Sequence, residues 1–579
     1  MVFGLRVIIL GLLLTNISFA GEPLEITIYA FRSPSDLQYK TYTYDYLETD
    51  SYKNFNKVSS LNIVQSGAEG QMSSTFLRGT NSNHTLLTFN GMPIKDHSTP
   101  TGVDDISQHS MLGVNSVEII KGPMSTVYGP NAVGGVINMT SYATDENYID
   151  FSTASNNTNT QKVKVGKWYG KNLFDFSFEN KASDGISVYP QGSEKDGFST
   201  QNYSIKTTHG LDNGWWVNTN INKKHNEADL DGSGSDVLNY TSDWDFSNQY
   251  IDILDGKSKL AFNNVTHKRE YDKAGTKDNY NSNTKTVLGT HTFNFDKMDI
   301  NVGAEREQIK ADFNTNIDGY VSSVDKERNN NGYFVNINKL LDKDFIITGG
   351  LRLDTPSAFD EQLTYRLGTN YNGFRLTTST AYKAPTIYEM YGSDNWGFLG
   401  NANLKPENSK TYEVGYGNKN VDFAFYKTYI DNQLIYQGNT YQNDSSQSIR
   451  KGADVTLKWQ QDSLRVVNST GFSIAEDSSG NELTRRPKWQ NNLSVTWNKD
   501  NLSLGTNWNF YGKHKDIDSA TYDKITMPDV SVFDLTAQYK VGNSTIYSGI
   551  DNVFDKQYER PDGYNQNGRY FKIGIKHNF

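Results

Sequence analysis

SGAEGQMSSTFLRGTNSNH from Ser66, NGMPIKD from Asn90 and IIKGPMSTVYGPNAVGGVINMT from Ile119 make residues 61–140 a small globular segment broken at short intervals by glycine. Gly79, Gly91, Gly122, Gly129, Gly134 and Gly135 fall where the chain turns sharply or backbones approach closely. More than 400 residues of aromatic-rich, alternating sequence follow, and the combination reads as a plug inside a large β-barrel.

Outward from this segment, the N-terminus carries Arg6, an apolar run from Val7 to Leu14 and Ser18-Phe19-Ala20, the pattern of a signal peptide at residues 1–20. The run is about half the ~20 residues of a spanning helix, and no later run of 18 apolar residues appears. Cysteine is absent, so an exported chain of 579 residues has no disulfides, no lipidated cysteine and no thiolate chemistry. The net charge of -10 argues against nucleic acid as a partner.

Beyond Tyr148, short alternating segments such as Trp216 to Asn222, Asp422 to Tyr426 and Asn492 to Trp497 are separated by Asn, Asp, Gly and Ser clusters. Period two suits a wall with lipid on one face and a polar lumen on the other. The 36 Tyr, 29 Phe and 9 Trp supply the aromatic girdles such a wall needs at two membrane interfaces. Residues 144–579, divided among 22 strands, leave about 20 residues per strand and connection, against ~9–11 to cross a membrane; 18 or 24 strands also fit. In the last segment Phe571, Ile573, Ile575, His577 and Phe579 share one face, and the terminal phenylalanine resembles the signal read by outer-membrane assembly machinery.

The plug stretch, YKAPTIYEMYG from Tyr382 with GNANLKPENSKTYEVGY from Gly400, RRPKWQ from Arg485, and IDNVFDKQYERPDGY before GRYFKIGIKHNF together resemble the TonB-dependent outer-membrane receptors, most closely their cobalamin-transporting branch. The resemblance implies an all-β membrane protein: residues 21–32 a TonB box and linker, 33–143 the plug, and 144–579 a roughly 22-stranded antiparallel barrel. It also implies a monomer in the outer membrane of a Gram-negative bacterium, with TonB as periplasmic partner and no enzymatic activity. The ligand it favours is cobalamin, with a ferric siderophore, or less readily heme, as the alternative. No histidine lies between Thr386 and Gly400, where heme receptors place one. A passive channel or an adhesin is the reading from another class.

Residue by residue, the resemblance puts the TonB box at Leu24, Glu25, Ile26, Thr27, Ile28, Tyr29 and Ala30, a segment suited to donating a strand through its main chain. Arg78, Glu118 and Lys121 are expected to fasten plug to barrel, or else to be solvated surface charges. Ligand contacts register on Met72, Ser74, Asn81, Thr99 and Pro100 of the plug and on Arg485 and Ser519 of the barrel, with Tyr522 close by. The loop KDHSTPTG from Lys95 departs from the branch in being longer and more polar, which makes Asp96 and His97 alternative ligand groups. Finally, Asp184, Glu194 and Asp196 fall in one expected outer loop and Asp229, Asp231 and Asp243 in the next, a supply of hard oxygens for Ca2+.

Overall fold

In a computed structural model, the described residues are 52–579 apart from 233–234, 318–319 and 395–396, together with the short strands Ile26–Ile28 and Tyr39–Tyr42. Those two strands pair antiparallel. The expected signal peptide and Leu24, Glu25, Tyr29 and Ala30 of the expected TonB box lie outside the described residues.

Among the described residues, 22 strands close into one antiparallel barrel, as expected from the sequence. Tyr148–Ala154 pairs with Thr158–Tyr169 on one side and with the last strand, Tyr570–Asn578, on the other. The long connections all fall at one end. One end of the barrel, here the base, carries both termini of the wall and tight turns such as 372–373 and 500–501. At Asn372-Gly373 both residues have positive φ, 51° and 86°, which is what a two-residue hairpin turn matched to strand twist requires. The other end, the mouth, carries the long connections 187–195, 230–239, 384–406, 432–447, 477–488, 512–529 and 552–569. Met298–Ile317 and Tyr320–Asp342 run 20 and 23 residues, well beyond a membrane's need, so the wall rises above the apolar band on that side.

Side chains alternate as the sequence pattern requires. On Val421–Asp431, Asp422, Ala424 and Tyr426 are buried toward the lumen, while Phe423 and Phe425 point outward. Phe151, Val165, Phe176, Ile205, Ile221 and Leu260 form part of the outward apolar band, and Trp168, Tyr169, Trp216, Phe295, Tyr371, Phe374 and Tyr539 ring the base. Phe571, Ile573 and Ile575 are likewise exposed outward.

Inside the barrel, Thr85–Phe89 pairs parallel with Gly135–Thr140, which pairs antiparallel with Ser116–Lys121; Leu61–Gln65 and Ser73–Leu77 form a separate hairpin. Every residue of Leu61–Gln65 and Thr85–Phe89 is buried, because barrel wall and plug cover both faces. The main core is accordingly shared: Phe55, Leu61, Leu77, Leu87 and Ile137 of the plug pack with Trp244, Phe246 and Val265 of the wall. Gly135 permits this closeness, since a Cβ there would lie 2.1 Å from the Ile120 carbonyl oxygen.

Candidate functional site

The quoted motifs converge on latches between plug and barrel. In YKAPTIYEMYG, Thr386 caps the short helix Ile387–Tyr391 and Glu389 returns to the Thr386 amide, a capping box. Glu389 also holds Lys383 at 3.0 Å, and Lys383 reaches Glu407 of the LKPENSK segment at 3.5 Å. Glu407 in turn bonds Nε2 of the plug's His84 at 3.0 Å. All four ionisable groups are buried, so each depends on the others for its partner.

A second latch lies closer to the base on the same stretch of wall, starting from the strand Glu407–Gly417 that also carries Glu407. Arg78 donates to Asp454 at 2.9 Å and to Glu413 at 2.6 Å while stacking on Tyr426, and Lys121 sits 3.5 Å from Asp454. Both residues fasten the plug as anticipated. Glu118 does not: it is buried beside Asn138 within the plug sheet, where desolvation, opposed by a hydrogen bond from Asn138, pushes its carboxyl up to about 7.

The residues expected to touch ligand fall into two groups. Gly67 lies against Val188, and Gln71 donates to the Asp229 carbonyl at 2.6 Å, which places loop 66–72 directly under the mouth. Met72 on that loop is 55% exposed and open to the mouth, whereas Ser74 is half-buried in the hairpin behind it. Thr99 and Pro100 crown the neighbouring apical loop, and the Pro100 carbonyl accepts from Thr386 Oγ1. Asn81 accepts from Arg486 at 2.7 Å, Arg485 is held by Asp516 at 2.9 Å, and the Ser519 amide donates to Asp562. Asn81 and Arg485 are thus occupied by protein partners. Arg486, which the sequence reading passed over, docks on the Gly79 carbonyl and over the Phe76 ring.

Asp96 and His97 are not presented to the mouth either. Asp96 binds Arg269 of the wall at 2.8 Å and accepts from Ser98 and Ser282. His97 is buried, and desolvation with Arg328 and Lys95 nearby holds its imidazole well below the ordinary range, so it stays neutral.

Above the apical loops, the inward face of the wall carries a run of aromatic rings. Centroid separations are 6.0 Å for Tyr271–Tyr280 and for Tyr280–Phe313, 5.7 Å for Phe313–Tyr388 and 5.2 Å for Tyr388–Phe398. Tyr441 and Tyr436 continue the run at 5.7 and 6.0 Å from Phe398. Phe313 and Phe398 are the buried spine, the tyrosines are half-buried or, at Tyr436, exposed. Arg269 lies over Tyr271 and Tyr280, and Lys326 over the exposed ring of Tyr391. The face offers π-surface and the Lys326 ammonium to an anionic, aromatic molecule, while the charge of Arg269 is met by Asp96. Sequence alternation signals that Arg269 and Tyr271 share a face, but not which face.

At the mouth's other side, carboxylate oxygens of Glu194, Asp231 and Asp236 lie within 4.8 Å of one another. Asp196 is 1% exposed, with Oδ1 unpartnered while Oδ2 accepts from the Val188 amide. Asp229 adjoins through the Gly197 amide. Burial and the crowding of Asp236 and Asp231 push the Glu194 carboxyl up to about 7. Two expected members lie apart: Asp184 faces Asn157, and Asp243 sits on the outer face beside His225.

Between plug and wall, a cavity of about 300 Å³ follows the seam by the closing strands, lined by Lys57, Glu69, Lys162, Glu179, Lys181 and Arg560 among others.

Residues 143–553 match the model of a TonB dependent receptor-like β-barrel, and residues 48–136 match a TonB-dependent receptor plug domain. Among solved structures the chain is similar to the siderophore receptor PirA from Acinetobacter baumannii, at 16% identity and TM-score 0.76, covering 92% of this chain and 96% of that one. The ferric-catecholate import receptor Fiu from E. coli K12 matches at 13% identity and TM-score 0.76 over 96% and 100%. The ferric yersiniabactin uptake receptor FyuA from Yersinia pestis matches at 18% and 0.73 over 93% and 97%.

Proposed function

The chain belongs to the TonB-dependent receptors, and from that premise we propose that it imports a ferric siderophore with aromatic iron-binding groups across a Gram-negative outer membrane. The observation that carries this reading is the aromatic run from Tyr271 to Tyr436, with Lys326 beside it over Tyr391 on the helix that also carries Tyr388. An iron chelate built on aromatic rings is flat-faced and anionic, and rings plus cations recognise both properties. The similar solved receptors named for ferric chelates point the same way. Cobalamin, favoured by the sequence resemblance, loses support because Asn81 and Arg485, two of its expected contacts, are engaged by Arg486 and Asp516.

Ligand seated on loops 66–72 and 96–101 bears on the same plug that Arg78, Lys121 and His84 latch to the wall. Binding therefore biases the plug's arrangement, and with it the availability of residues 24–30 to a periplasmic TonB. Force from TonB would part the plug along its polar seam, where water entering can take over the partners of the charged groups as they separate. No ligand bond is broken in this cycle.

We also propose that Glu194, Asp196, Asp231 and Asp236 hold Ca2+ at the mouth. The fit rests on the buried, unpartnered Asp196 Oδ1 and on carboxylates whose mutual repulsion a hard cation relieves. Bound there, the ion would order loops 187–195 and 230–239 over the plug apex.

Quenching of the receptor's intrinsic fluorescence by a ferric tris-catecholate and by cobalamin separates the two ligands. Sub-micromolar quenching by the catecholate alone is expected; tight binding of cobalamin alone would overturn the siderophore reading.

A further inference from the structure

The outward face of the wall carries a feature that import does not use. An open groove of about 820 Å³ crosses strands Phe345–Pro356 to Val421–Asp431 on the side away from the lumen. Ile347, Leu367, Leu376, Val414 and Phe425 form its sides. The short side chains of Thr369 and Thr378, each paired in register with a larger neighbour, Leu376 and Tyr412, form its floor.

The groove's mouthward end is cationic. Lys427 lines it, Lys451 stands directly opposite Lys427 on the next strand, and Lys410 lies on the other side, opposite Tyr429. Tyrosine rings support two of the ammonium groups, with Lys410 over Tyr412 at 5.2 Å and Lys427 over Tyr429 at 4.7 Å.

The arrangement of charge sets this patch apart. Elsewhere on the outward face a cation meets an acid, as in Lys277 with Glu270 and Lys310 with Asp325, or stands opposite a neutral residue, as Lys223 opposite Tyr203 and Lys285 opposite Asn264. Here two lysines face each other with a third beside them. Among the described residues Lys410, Lys427 and Lys451 form no salt bridge. Like charges placed directly opposite in a sheet repel, and a shared anion turns that repulsion into attraction. Lysine stems also lie along apolar surface while their charged ends reach the headgroup level.

We propose that this surface binds one lipid of the mouthward leaflet, with an acyl chain in the groove and its headgroup phosphates among the three lysines. The occupant is a multiply acylated lipid with more than one phosphate, because three cations around one end exceed what a single phosphate neutralises. Ligand identity at the mouth has no bearing on this assignment.

Native mass spectrometry of the detergent-purified full chain tests it, with hexa-acylated diphosphoryl lipid A, its monophosphoryl form and phosphatidylcholine as probes. One tightly retained diphosphoryl lipid is expected, with the monophosphoryl form at least threefold weaker and phosphatidylcholine weaker still. K410Q/K427Q/K451Q should weaken the diphosphoryl lipid at least tenfold, whereas K268Q/K285Q, elsewhere on the outward face, should leave it unchanged. Equal retention of all three lipids by the unaltered receptor overturns the proposal without any variant. So does undiminished retention by the triple variant, provided its heat-modifiable electrophoretic mobility shows a closed barrel. Thr378→Trp, which fills the groove floor and keeps every lysine, should also weaken binding; unchanged binding would remove the acyl chain from the groove and contradict the assignment.

Discussion

Glu118 shows what burial does to a single residue. Its carboxyl titrates at about 7 in the plug against 4.5 for the ordinary group. Between those values the folded plug keeps a proton that the unfolded chain has released, so plug stability falls as pH rises from about 4.5 to about 7 and is level beyond. Glu118→Gln should abolish that slope and stabilise the plug at pH 8 by up to ~3 kcal/mol. Amide exchange in residues 116–121 and 135–140, corrected for intrinsic rates, reads it; an unchanged slope would mean that Glu118 ionises freely. Glu407 makes the opposite case, a buried carboxylate held by the Lys383 ammonium and by a hydrogen bond with the His84 imidazole, whose own pKa is lowered by burial. Glu407→Ala should cost on the order of 3–5 kcal/mol, seen as a lowered melting temperature and faster exchange in residues 82–89. No change in either would show that the latch bears no load.

Among the elements, the two loops at the acidic cluster carry the calcium prediction. Adding Ca2+ should slow amide exchange in residues 187–195 and raise the melting temperature, with both effects lost in Asp196→Asn/Asp231→Asn. Exchange that ignores Ca2+ in the unaltered chain would remove the metal. These elements also show what the sequence makes legible. Strand alternation, the glycine framework of 61–140 and the two-residue turns are local patterns, so barrel and plug are readable from the chain alone. The site is less so, because its contacts join residues far apart: His84 meets Glu407 and Arg78 meets Asp454 across more than 300 positions. In RRPKWQ the backbone at Arg485 takes a positive φ of 63°, and it is Arg486 that meets the plug while Arg485 bonds Asp516. No spacing rule reveals that choice. The motifs that carry the family resemblance, Lys383, Glu389 and Glu407 among them, belong largely to the plug-barrel latch network, so they mark the fold rather than the ligand.

For the molecule as a whole, the proposed function joins the latches, the polar seam and the aromatic mouth in one cycle, in which ligand would load from outside, the plug would respond, and work applied from below would open a path. Binding and transport should therefore separate cleanly. The most direct test is accumulation of radioactive iron, supplied as a ferric tris-catecholate, by cells whose only receptor for it is this chain, with and without residues 24–30. Removal of that segment should leave surface binding intact and reduce accumulation to the level of cells lacking the receptor. Undiminished accumulation after the deletion would contradict energised import.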